Sequence, residues 1–228
     1  MGSGIADRRH LHDGGVKKGG VGYGVRRESV RVRCCRLDGS VRSPDGPYAL
    51  RDEQEREVRR GALCAQHMCA LSQLVERIRH ERRVSCEAPD FDPRDGGVDA
   101  RALFLLEAPG PRAVETGFVS RDNPDPSAKH MSQLFESAGI RRRDTILWNV
   151  VPWYVGTGRR IRAVTGRECH IGCGYLLLLL KLLPRLRCVV LMGRSARHVR
   201  ERLIEDLARL CRKITVFETW HPSQRVFN

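Results

Sequence analysis

Residues 102–118 read Ala-Leu-Phe-Leu-Leu-Glu-Ala-Pro-Gly-Pro-Arg-Ala-Val-Glu-Thr-Gly-Phe, an apolar run that stops at Glu107 and passes into a Pro/Gly turn. Leu103–Leu106 has the length and flanks of a strand buried on both faces, and Ala108, Pro109, Gly110 and Pro111 cannot prolong it. The turn therefore leaves a carboxylate at a strand's carboxyl end. In an open parallel sheet ligands bind at that edge, because the crossover connections leave a crevice there.

Two later stretches repeat the pattern. Thr145–Val150 reads as a strand that delivers Asn149 just before Pro152, Trp153 and Tyr154, and Ile214–Thr219 reads as another that runs into Trp220, His221, Pro222 and Ser223. If the strands are parallel, Glu107, Asn149 and His221 share one rim. Helical spacing of Leu71, Leu74, Val75 and Ile78 predicts an amphipathic helix from Leu63 to about Arg82. Pro124–Ser127 supplies a loop and cap for a helix over Ala128–Ala138 that turns Met131, Leu134 and Phe135 inward and closes at Gly139. Cys169–Leu183 is a Leu-rich helix and Cys188–Met192 a buried strand; Gly193-Arg194-Ser195 then caps a helix reaching about Leu210. Strands alternating with helices give an α/β fold with helices on both faces of the sheet.

The chain has 228 residues and a net charge of +14, of which residues 1–60 carry +5. The remaining +9 belongs to residues 61–228, and suits a polyanionic partner, although arginine-favouring codon usage would give the same composition. Residues 1–60 mix glycines with Arg and Lys and show no sustained apolar period, so they are expected to form a disordered extension, either a basic arm for DNA or a non-functional stretch from an upstream start codon. A single domain is expected over 61–228. Nine cysteines without a secretory leader argue against a disulfide framework, and the Leu176–Leu183 run, broken by Lys181, is too short to span a bilayer. A cytoplasmic location follows.

Glu-Ala-Pro-Gly at 107–110, Gly-Phe-Val-Ser at 117–120, Asn-Val-Val-Pro at 149–152 and His-Pro-Ser at 221–223 resemble, in order, placement and spacing, the successive motifs of the uracil-DNA glycosylase superfamily. The likeness covers roughly residues 65–228. Arg121–Pro126 and Leu147–Tyr154 are similar to a bacterial, actinomycete-type branch of it. The resemblance implies a three-layer α/β/α sandwich with a short, mainly parallel central sheet. It also implies an enzyme that hydrolyses the N-glycosidic bond of flipped-out uracil in DNA, leaving an abasic site.

Such cleavage passes through an oxocarbenium-like sugar and an anionic base, so a site must lodge the base, stabilise its charge and position a water. Asn149 has the donor and the acceptor to pair with uracil O4 and N3–H, a pattern that cytosine reverses. His221 is the expected donor to O2, and neutral imidazole suffices for that. By resemblance Phe118 stacks on the base, Ala108 takes the place where the best-known branch has its water-activating aspartate, and Gly110 takes that of a tyrosine that excludes the thymine methyl, which implies a roomier pocket. Glu107 is the first candidate to activate water, with Asp122 the second. Ser223 and Arg225 are expected at the DNA backbone, as are Arg159 and Arg160 in a long Gly/Arg-rich loop. Gln224–Phe227 would also supply a minor-groove wedge.

A thermophile-type branch with the same Glu-Ala-Pro-Gly motif holds an iron-sulfur cluster. Trp153 stands here where that branch has its loop cysteine, and Cys64, Cys69, Cys169 and Cys173 are spaced differently, so no metal or cofactor is expected. Relatives continue past His-Pro-Ser into a helix, whereas this chain ends at Asn228, which suggests C-terminal truncation. By analogy the protein is a monomer. Two alternatives remain: a glycosylase for other deaminated bases such as hypoxanthine or xanthine, and a non-catalytic relative that binds DNA or abasic sites.

Overall fold

The computed structural model describes residues 46–83, 87–157 and 160–223. Its centre is a four-stranded sheet formed by β2 (Ala102–Leu106), β4 (Thr145–Asn149), β7 (Cys188–Met192) and β8 (Thr215–Thr219), in the order β4-β2-β7-β8 with every neighbouring pair parallel. Two small pairs flank it: β1 (Asp90–Phe91) with β3 (Phe118–Val119), parallel, and the antiparallel hairpin of β5 (Gly156–Thr157) and β6 (Arg160–Ile161). From β2 the chain first steps to β4 and then crosses back past β2 to β7, so the winding reverses at β2 and a crevice opens above its carboxyl end.

Helices cover both faces, which completes the three-layer α/β/α fold. In a parallel pair, residues in register point the same way, and Leu105 pairs with Trp148 while Phe104 pairs with Leu147. On the first face Trp148 stacks on Phe91, with ring centroids 3.7 Å apart, and helices α2 (Cys69–Arg82) and α5 (Gly166–Leu182) pack together, burying Leu71, Val75, Ile78, Leu176 and Leu179. On the second face Phe104 meets Phe135 of α4 (Pro126–Ser137) at 4.4 Å. Helix α3 (Pro111–Thr116) follows β2, and α6 (Arg194–Arg197) and α7 (Arg200–Arg209) lead from β7 to β8.

The folded part begins before residue 61. Helix α1 (Glu53–Ala62) has its N-cap at Asp52, and the boundary expected at residue 60 falls inside it. Arg59 is completely buried: its Nε donates to Glu55 (2.8 Å), its Nη2 to Asp122 (2.7 Å) and its Nη1 to Asp92. The Leu50 backbone N–H also donates to the Asp122 carbonyl at 3.2 Å. An apolar period is absent from this stretch because charge pairing and capping, rather than an apolar stripe, hold it in place. Residues 1–45 lie outside the described part. The helix expected from Leu63 begins only at Cys69, after a turn over residues 63–68, and the one expected to reach Leu210 is divided into α6 and α7.

Candidate active site

The sheet register aligns the carboxyl ends of its strands, pairing Leu106 with Asn149 and Met192 with Thr219. Just past these ends lies a cavity of about 310 Å3, the size of a small ligand site. Its lining includes Ala108, Pro109 and Gly110 from the turn after β2, Ser120, Asn123 and Asp125 from the loop before α4, Asn149, Ile161 and His221. Apolar walls come from Leu106, Val119, Met131 and Leu147.

Asn149 is 3% exposed, and among the described residues its Nδ2 has no hydrogen-bond partner. Buried amides are nearly always satisfied by protein or by water, so this donor beside the cavity is open to a water or a ligand there.

His221 is half-buried and reaches the cavity from the loop after β8. The Ser223 backbone N–H donates to its Nδ1 at 3.2 Å. An Nδ1 that accepts carries no proton, so in the neutral ring the hydrogen resides on Nε2, which is then a donor. Burial pushes the imidazole pKa below its usual value, against the Glu107 and Asp125 carboxylates that favour the cation, and the neutral form prevails at pH 7. Gly193 stands behind the ring, and its N–H donates to Thr219 at 2.9 Å. The loop is tied to α4 as well, because His130 Nδ1 donates to the Pro222 carbonyl at 3.2 Å.

The opposite wall is the loop 118–125. Asn123 anchors it by donating to the Phe118 carbonyl (2.9 Å) and accepting from the Thr116 hydroxyl (2.7 Å). Asp125 is the N-cap of α4: its Oδ1 accepts from the Ala128 N–H at 2.9 Å, and burial raises its pKa against those backbone donors, His221 and Arg112. The sequence places a cap within Pro124–Ser127, and the structure gives that role to Asp125, which was not among the expected site residues. The signal for it was present, since an Asp followed by Pro at the first helical position is a strong helix start.

The structure thus brings Ala108, Gly110, Asn149 and His221 together around one cavity and places three expected site residues elsewhere. Glu107 lines a neighbouring cavity of about 680 Å3 with His170, Arg194, His198 and Arg202, although its charge still acts on His221. Asp122 is fully buried, and Arg59 and Arg142 (Nη1, 2.6 Å) both donate to its Oδ2, which commits the side chain to these arginines and away from the cavity. Phe118 is 1% exposed, packed in the core next to the lining residues Val119 and Ser120 rather than on the cavity surface. Ser223 acts here through its backbone N–H. Arg159 and Arg225 lie outside the described residues, and Arg160 enters through its backbone in β6. A Cβ at Gly110 would meet only Ile161 Cδ1, at 4.0 Å, so the glycine keeps the cavity mouth wide. Among the described residues no helix is long and apolar enough to cross a membrane, and no three His, Cys, Asp or Glu side chains gather as a metal site.

A parallel α/β sheet with a cavity above the switch point at its carboxyl edge, lined by a buried amide and an imidazole, defines a class of α/β domain that binds a small ligand at that edge. Residues 93–228, more than half of the chain, match the family model of the uracil DNA glycosylase superfamily, and the protein belongs to that superfamily. No curated protein matches the chain. The members of the superfamily are glycosylase hydrolases that act on DNA.

Proposed function

We propose that the protein excises uracil from DNA by hydrolysing its N-glycosidic bond, leaving an abasic site. The observation that carries this reading is the unpartnered, buried Nδ2 of Asn149 in a base-sized cavity. Uracil supplies what that amide lacks: O4 accepts from Nδ2 while N3–H donates to Oδ1. Cytosine offers a donor at the first position and an acceptor at the second, and would leave both ends of the amide opposed.

The base reaches the cavity only by leaving the stack, at a cost of a few kcal/mol that is smallest for mispaired or single-stranded sites. As the bond from N1 to C1′ lengthens, negative charge spreads to O2. The Nε2–H of His221 is the donor for that oxygen, and it needs no change of protonation to serve. A donor held ready in a water-poor site contributes roughly 3–4 kcal/mol to such a transition state. The net positive charge of the chain supports DNA as the partner.

The open side at Gly110 favours a second reading, a wider range of deaminated bases. One assay separates the possibilities: duplexes with a single uracil, hypoxanthine, xanthine or abasic site are incubated with the protein and treated with alkali. Protein-dependent alkali-labile strands from the uracil duplex and from neither purine duplex support the first reading, and such cleavage of the purine duplexes the second. Retention of abasic DNA with no base released would mark a binding relative and overturn both.

A further inference from the structure

Hydrolysis also needs a group that takes the proton of the attacking water, and the carboxylates first singled out for it, Glu107 and Asp122, do not line the cavity. Among the described residues that line the cavity, Asp125 is the only one with a carboxylate. We propose that Asp125 is the catalytic base that activates the water. This rests on the glycosylase reading above and names a residue for it.

Asp125 occupies the wall of the cavity that Asn149 and His221 also line. Its Oδ1 is fixed by the α4 cap, and a carboxylate has about four acceptor sites, so capping leaves room to accept from a water. The cap holds the side chain on a helix end rather than on a loose loop, the kind of support that general-base geometry requires. The charged and titratable groups that face it are His221 from the loop after β8 and Arg112 from α3, with Lys129 and His130 following on its own helix.

The step balances without a co-reactant. The N1–C1′ bond breaks with its electron pair passing to the base, the water oxygen bonds to C1′, and the water proton passes to the Asp125 carboxylate, which returns it to solvent. The base anion takes a proton from solvent. One water is consumed, and free uracil and a 1′-hydroxyl sugar form.

Asp125→Asn is the decisive variant, since Asn is as good an N-cap and α4 should keep its start. Single-turnover release of uracil is expected to fall roughly 10²–10⁴-fold, as for loss of a general base, with unchanged melting temperature and unchanged affinity for uracil-containing DNA. The wild-type rate should rise with pH as the carboxylate ionises, and that limb should vanish in the variant. Uracil release by the variant within threefold of wild type would overturn the assignment alone, as would a larger loss for Glu107→Gln. No release by the wild type would overturn the glycosylase reading itself.

Discussion

A Cβ placed on Gly193 would lie 2.9 Å from Cβ of His221 and 3.4 Å from its Cδ2, so the glycine backbone forms the surface against which the imidazole rests. Gly193 has φ 87° and ψ 169°, a conformation open essentially to glycine alone. Gly193→Ala is therefore expected to strain the end of β7 and push the imidazole toward the cavity. A displacement near 1 Å costs up to about 10²-fold in rate, so single-turnover excision should fall roughly 10–100-fold while circular dichroism stays native. A wild-type rate would show that the ring has another support.

Asn149 makes a simpler case. With the donor facing charge that develops on the base, Asn149→Ala should lose roughly 10²–10³-fold in excision rate. Asn149→Asp, which keeps the shape but can only accept when ionised, should fall at least as far. Rates within threefold of wild type for both would remove the amide from the site.

Arg59 tests the brace behind the pocket loop. It joins Glu55 of α1 to Asp92 and Asp122, and Arg142 Nη2 donates to Asp92 at 2.7 Å. Removing one partner of a buried ion pair costs about 3–5 kcal/mol. Since about 2–4 °C is lost per kcal/mol in a domain of this size, Arg59→Met should melt at least about 6 °C lower. A shift under 2 °C in a thermal melt would show that α1 is dispensable.

Asp95 sets a pH dependence of stability. Burial pushes its pKa up to about 7, against Arg142 and Arg121 and with help from Asp92 and Asp122. A carboxyl whose folded pKa lies above its unfolded value stabilises the fold most when protonated; that contribution is complete below about pH 4 and is lost as pH rises through about 7. Asp95→Asn does not titrate. Its stability relative to wild type should therefore increase steadily between pH 4 and 7 in urea unfolding series, and a constant difference would contradict the shift.

The sequence by itself determined the strands, the turn at Glu107–Pro111 and the presence of Asn149 and His221 at a common edge, because apolar runs and Pro/Gly breaks are local signals that fix where a strand must stop. It also carried the resemblance to the superfamily whose family model matches residues 93–228. Tertiary structure alone decided which carboxylate faces the cavity. Glu107, Asp122 and Asp125 all lie near the motifs, yet one points to a neighbouring cavity, one is enclosed by arginines and one caps α4 at the pocket wall. The order of residues 46–62 was equally invisible, since Arg59 meets partners that lie 33 and 63 positions away. The physical reason is common to both. Periodicity records burial of apolar faces, whereas the partner of a charge depends on which distant groups the fold brings within hydrogen-bond reach.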